Sequence, residues 1–94
     1  MPITIKFVGA FRGVLGKDRL VLSFEDAIPL KKAIRKIIAY LPQLEQVLIN
    51  PVLEDPRPNT LILVNGKEIS VLDGLDTMLK SGDEVVFVPV VHGG

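Results

Sequence analysis

Cysteine is absent from this chain of 94 residues, which excludes a disulfide framework, a thiolate metal site and a thiol nucleophile. Tryptophan is absent too, and the single histidine, His92, excludes a multi-histidine metal site. Neither charge sign prevails. The 11 Lys/Arg balance 11 Asp/Glu, so a direct nucleic-acid binder, whose domain runs strongly basic, is not expected. No apolar run approaches the ~20 residues of a membrane span, so no membrane partner is expected. The opening MPITIKF lacks a signal-peptide pattern, which makes a cytoplasmic setting the expectation. Length leaves room for one core, hence one domain over 1–94. What is present is ordinary for a globular domain: 48% apolar and 23% charged residues, with Leu, Ile and Val supplying the core.

The charges are unevenly spread. Residues 1–47 hold eight Lys/Arg against four Asp/Glu, and residues 48–94 hold three against seven. Both halves must fold onto one core, so the surface is expected to be bipolar, which bears on how partners orient.

Ile3, Ile5 and Phe7 alternate with Thr4 and Lys6, the pattern of a half-buried strand. Leu20, Leu22 and Phe24 repeat it, and the intervening GAFRGVLG, with three glycines, predicts a turn closing a hairpin. Leu30, Ala33, Ile34, Ile37, Ile38 and Leu41 fall on one face of a helix. Burying those six side chains contributes about 10 kcal/mol before entropy, which requires the helix to lie on a sheet. Pro29 suits its first turn, Asp26 is an alternative cap for an earlier start, and Pro42 ends it. Residues 42–59 hold four prolines and read as a long irregular segment, with a short packed turn around Leu44–Ile49.

Thr60–Val64 predicts a strand, and Asn65-Gly66 a tight hairpin into Lys67–Ser70. Val71–Lys80 suggests turns with a short 3₁₀ piece, and Ser81-Gly82-Asp83 a further turn. The unbroken apolar run of Glu84–Val90 suggests a central strand covered on both faces. This order predicts an α+β β-grasp: a mixed sheet of four to five strands with one main helix on one face. A ferredoxin-like fold is the rival, but it needs a second long helix, which the sequence after residue 42 does not offer.

The candidate chemistry lies in the last residues. Gly93-Gly94 is unbranched and flexible enough to thread a narrow channel and bring its carboxylate to a nucleotide's α-phosphate. The chain is then the substrate of a partner, with residues 91–94 as a flexible tail. The plainer alternative is a frayed end. His92 is a titratable side chain on the tail, readable as assisting a transfer or, more plainly, as an exposed residue without a catalytic role. Lys31, Lys32, Arg35 and Lys36 form a basic helix face, readable as a docking site or as a solvated surface. Val86 and Val88 are expected on the sheet face away from the helix, with Val64 or Val8, either as an exposed partner patch or covered by the segment 42–59.

The ending GLDTMLKSGDEVVFVPVVHGG resembles that of the MoaD/ThiS family of ubiquitin-like sulfur carriers, through Leu79, Gly82, Asp83, Glu84, Val85, Pro89 and Gly93-Gly94. Ile62–Gly66 resembles the family's VNG hairpin. Phe11-Arg12 and Gly16 resemble the early stretch of MoaD proteins, without its Glu. The resemblance implies a β-grasp and ATP-dependent adenylation of Gly94 by a ubiquitin-activating-like enzyme, followed by conversion to a thiocarboxylate. For a MoaD protein it implies the large subunit of molybdopterin synthase as partner and a pterin as sulfur acceptor. The His92-Gly93-Gly94 ending is nearer that of the eukaryotic ubiquitin-related modifier, which implies tRNA thiolation or protein conjugation. No bound cofactor is expected, with ATP consumed by the activating partner. Gly94 and Gly93 are the expected reacting residues, and His92, Val91, Val90, Phe87 and Arg12 the expected partner contacts. The rivals are a ubiquitin-like modifier joined to lysines and a plain protein-binding module.

Overall fold

The computed structural model describes residues 1–48, 55–57 and 59–90. Strand β1 (Pro2–Phe7) leads into helix α1 (Ala10–Leu15), then strand β2 (Arg19–Ser23), a two-residue strand β3 (Ile28–Pro29) and the main helix α2 (Leu30–Tyr40). A 3₁₀ turn at Pro42–Leu44 and the short helix α3 (Glu45–Leu48) follow. Strands β4 (Thr60–Val64), β5 (Lys67–Glu68), β6 (Met78–Leu79) and β7 (Glu84–Pro89) complete the chain, with 3₁₀ turns at Ile69–Val71 and Gly74–Asp76. The main sheet runs β2-β1-β7-β4-β5, and β3 pairs with β6 apart from it. β1 and β7 are parallel neighbours and the other main-sheet pairs are antiparallel, so the sheet is mixed, as the order of elements predicts.

Alternation decides which side of the sheet the helix covers. Ile3, Ile5, Phe7, Ile62, Val64, Val85 and Phe87 are all buried, and so are Leu30, Ala33, Ile34 and Ile37 of α2. One face of the sheet therefore meets the apolar stripe of the helix, and α2 spans the residues its periodicity indicates. Its first turn is capped differently from either expectation. Pro29 is extended, with ψ 143°, and stands just outside the helix. The Leu30 N–H donates to the Thr77 carbonyl at 2.8 Å, so a distant backbone group caps the helix and Asp26 does not.

Five expectations need correction. GAFRGVLG is not a bare turn, because it holds α1. Gly9 (φ 58°) and Gly16 (φ 68°) bracket that helix, and the Gly16 N–H donates to the Arg12 carbonyl at 2.9 Å. Two of the three glycines thus serve as helix boundaries, and Phe11 between them is driven into the core. The strand Lys67–Ser70 stops at Glu68, because the chain turns into a 3₁₀ helix at Ile69, whose side chain is buried. Residues 78–79, expected within a run of turns, form β6 against Ile28–Pro29. β7 is central, but among the described residues it is covered on one face only. Val85 and Phe87 are buried, whereas Val86 and Val88 are half-buried on the face away from α2. Val64 lies on the covered face, and Leu61 and Leu63 take the place expected for it beside Val86 and Val88.

The segment after Pro42 is more ordered than its prolines imply. Leu44 and Leu48 are fully buried, and the Thr60 hydroxyl donates to the Leu48 carbonyl at 3.3 Å. Its described part, Pro42–Leu48, packs beside α1 and α2. The expected turn residue Ile49 lies outside the described residues.

Candidate functional site at the end of the last strand

The candidate site is built from where β7 ends. Its registers are Thr60–Pro89 and Ile62–Phe87 against β4, and Phe7–Phe87 against β1. Flanked on both sides, its end cannot shift without breaking two ladders. The Val90 N–H donates to the Asn59 carbonyl at 2.9 Å, which carries the pairing one residue past the strand. Val90 is 40% exposed.

On the other side stands α1. A methyl group on Gly9 would come 3.0 Å from Cγ of Pro89, so glycine is what allows the start of α1 to approach the end of β7. Arg12, one turn further along, is thereby brought to this corner. It lines two adjoining hollows of about 290 and 570 Å³, the first with Lys6 and Arg19, the second with Lys17. Asp18 is the carboxylate shared by both hollows. The corner is cationic, an arrangement that attracts an anionic group.

Among the residues expected to contact a partner, Arg12 lines these two hollows, and Val90 stands past the end of β7 on the β4 side, in a hollow with Arg57 and Leu61. Phe87 lies beneath the surface of this chain. It is fully buried and stacks on Phe7, with ring centroids 5.9 Å apart, because its parity in β7 points it toward α2. Gly93, Gly94, His92 and Val91 lie outside the described residues. Lys6, Lys17 and Arg19 were not singled out from the sequence. Lys6 and Arg19 are opposite each other in the β1–β2 register, a signal that strand alternation contained.

Next to the corner lies the open sheet face. Leu61, Leu63, Val86 and Val88 form adjacent cross-strand pairs there, and Val8, 39% exposed, follows β1 beside them. Lys6 and Glu84 close the far side with a 3.0 Å ion pair, whose partners are both exposed. Such a pair contributes little to stability, so its charges remain open to competition.

The opposite end of β7 is polar and closed. Asn65 (φ 51°) and Gly66 (φ 81°) form the hairpin turn that Asn-Gly predicts. The Asn65 side chain donates to Asp83 Oδ1 at 2.9 Å and accepts from the Glu84 N–H at 2.9 Å. Asp83 Oδ2 accepts from the Lys80 N–H at 2.7 Å, and its carbonyl accepts from the Thr4 N–H at 3.0 Å. These residues, which carry much of the family resemblance, hold the turns and registers of the sheet.

Among the described residues, no group of three or more His, Asp or Glu side chains is placed to hold a metal ion. No described helix is long and apolar enough to cross a membrane.

The ThiS family model matches residues 5–94. The chain belongs to the ThiS family. Small archaeal modifier protein 3 of Haloferax volcanii is 31% identical to it over the whole of both chains. An Archaeoglobus fulgidus protein named "Putative sulfur carrier protein" is 36% identical over 67 residues, 68% of this chain and 76% of that one. Among solved structures, SAMP1 of Haloferax volcanii superposes with a TM-score of 0.85 at 19% identity, covering both chains completely. A Helicobacter pylori structure, a complex of subunits 1 and 2 of molybdopterin-converting factor, matches with a TM-score of 0.63 at 23% identity, again over both whole chains. The fold of this ThiS-family chain is the ubiquitin-like β-grasp, and the family comprises sulfur carriers and protein modifiers.

Proposed function

We propose that this ThiS-family chain is a sulfur carrier acting through the carboxylate of Gly94, as the small subunit of a molybdopterin synthase. An adenylating partner supplies ATP. The Gly94 carboxylate attacks the α-phosphorus and pyrophosphate leaves, giving an acyl-adenylate. Sulfur at the hydrosulfide level, delivered by a donor, then attacks the carbonyl carbon and AMP leaves with the bonding pair. The product is a thiocarboxylate, and the acceptor is a pterin bound by the large subunit. This chain binds no cofactor and supplies the body, the recognition surface and the tail. The observation that carries the reading is the cationic corner built by Gly9, Pro89 and Arg12 at the base of the last residues. It suits an anionic carboxylate approaching a nucleotide, and the adjacent Leu61–Val88 patch offers a surface for the partners.

A second reading is favoured by the full-length likeness to an archaeal modifier protein. There the same acyl-adenylate passes to the amine of a target lysine, forming an isopeptide bond with loss of AMP. Both readings give Gly93-Gly94 the same first step, so one experiment separates them. The full chain is incubated with its adenylating enzyme, ATP and a sulfide source, and its intact mass is measured. Exchange of oxygen for sulfur at Gly94 followed by sulfur transfer to a pterin supports the carrier. Heavier adducts with lysine branches, lost on deletion of Gly93-Gly94, support the modifier. Neither product with an enzyme proven active rejects both.

A further inference from the structure

The two edges of the main sheet are unequal. β5 has two residues and runs at once into a 3₁₀ turn, so it offers little backbone for pairing. β2 has five residues, with neither proline nor lysine among them. Edge strands of soluble proteins are commonly blunted by such residues, by bulges or by brevity. The hydrogen bonds from Phe7 N–H to the Asp18 carbonyl and from Phe24 N–H to the Met1 carbonyl fix the phase of the β1–β2 ladder. In that phase Leu20 and Leu22 bond to β1, and the backbone groups of Arg19, Val21 and Ser23 point outward.

Beside this edge runs a groove of about 610 Å³ between β2 and α2. Leu22, Ser23 and Phe24 form its strand wall, and Lys32 and Lys36, one helical turn apart, its helix wall. Glu25 and Asp26 stand on the loop that closes one end. Leu22 and Phe24 are half-buried, so apolar surface lines the floor next to the two ammonium groups. Lys31 is engaged by Asp76 at 2.7 Å, on the other flank of the helix. Among the described residues neither Lys32 nor Lys36 is within ion-pair distance of a carboxylate.

We propose that the β2 edge and this groove bind an extended acidic and apolar segment of another protein, which adds as a sixth strand. Its backbone pairs with Arg19, Val21 and Ser23. Its apolar side chains on the helix side rest on Leu22 and Phe24, and its carboxylates face Lys32 and Lys36. Backbone pairing gives such a site affinity and the wall charges give it selectivity. A second copy of this chain would turn Leu20 and Leu22 of its own β2 toward the helix side and so bring no carboxylate to the lysine wall. The site adjoins the corner at the end of β7 through Arg19, and it stands whichever acceptor the tail serves.

The test is a titration of the ¹⁵N-labelled full chain with a synthetic peptide whose Val/Ile run is followed by an Asp run. The expected result is saturable shifts of the Arg19, Val21 and Ser23 amides together with those of Lys32 and Lys36. Combining Lys32→Glu with Lys36→Glu weakens binding by at least about tenfold. Both lysines are exposed, and an otherwise unchanged spectrum certifies the fold of the variant. A peptide with proline in the middle of its apolar run keeps its charge and loses binding. Four results overturn the proposal: no saturable shift, shifts centred on Leu61, Leu63 and Val86, undiminished binding by the charge-reversed variant, or β2 shifts that follow chain concentration without peptide.

Discussion

The two ends of β7 differ in what they are made of. At the Glu84 end, side-chain amide, carboxylate and backbone groups satisfy one another through Asn65 and Asp83. At the Pro89 end the contacts are steric and cationic: a glycine that admits a proline, one backbone hydrogen bond to Asn59, and Arg12 between two hollows. A polar network of the first kind fixes registers and leaves no group free for chemistry. A corner of the second kind leaves its charges in solvent, where a partner can use them. Resemblance in sequence therefore falls on two different roles within one strand, and variants separate them.

The largest effect belongs to neither end but to the residue between them. Phe87→Ala removes a fully buried ring stacked on Phe7 and is expected to cost about 3–5 kcal/mol, read by urea denaturation. A native-like stability would show that the core of β7 does not depend on it. Asp83→Ala leaves the exposed Lys80 N–H and Asn65 amide to water, for an expected loss of about 0.5–1.5 kcal/mol. If the ends are as distinct as their contacts, kcat/KM for adenylation stays unchanged at a temperature where the variant is folded. Arg12→Glu reverses the comparison. Stability is expected to hold within about 0.5 kcal/mol, while kcat/KM for adenylation falls about tenfold and loses its sensitivity to salt. A variant with unaltered kinetics would remove Arg12 from partner recognition.

The smallest effect tests acid. Arg57, through its side-chain hydrogen bonds, holds the Asp55 carboxyl below its ordinary value of 3.8, against the opposing effect of partial burial. A carboxyl lowered in the folded state contributes stability above its unfolded pKa and loses it as pH falls through the folded value. Below about pH 4, Tm should therefore drop further in the native chain than in Asp55→Asn, by less than about 1 kcal/mol in stability. Equal acid slopes would show that the pair adds nothing.

Much of the architecture was legible because period and parity are local properties. The alternation of Ile3, Ile5 and Phe7 and the helical spacing from Leu30 to Leu41 each predict one element. Asn65-Gly66 predicts its turn because few residue pairs accept two successive positive φ angles. α1 was hidden by its glycines, although Phe11 and Leu15 have the spacing of one helical face. The two-residue β3 and β6 are too short to show a period. The parity of β7 was legible, since Val86 and Val88 were expected on the face away from the helix, and that parity turns Phe87 inward against Phe7. For the site, Arg12 and Val90 could be named from resemblance. The charge around Arg12 could not, since Lys6, Lys17 and Arg19 converge only when β1, α1 and β2 fold together.

The grip on Asn65 also bears on chemical ageing. Asparagine followed by glycine is the pair whose next backbone nitrogen most easily attacks the side-chain carbonyl carbon, expelling ammonia and leaving a succinimide that water opens to aspartate or isoaspartate. In this turn the carboxamide nitrogen is held by Asp83 and the carboxamide oxygen by the Glu84 N–H, so the group cannot swing freely toward the Gly66 nitrogen. The network that sets the sheet register also slows a clock built into its tightest turn, and a chain that has lost Asp83 should deamidate at Asn65 faster than the native chain.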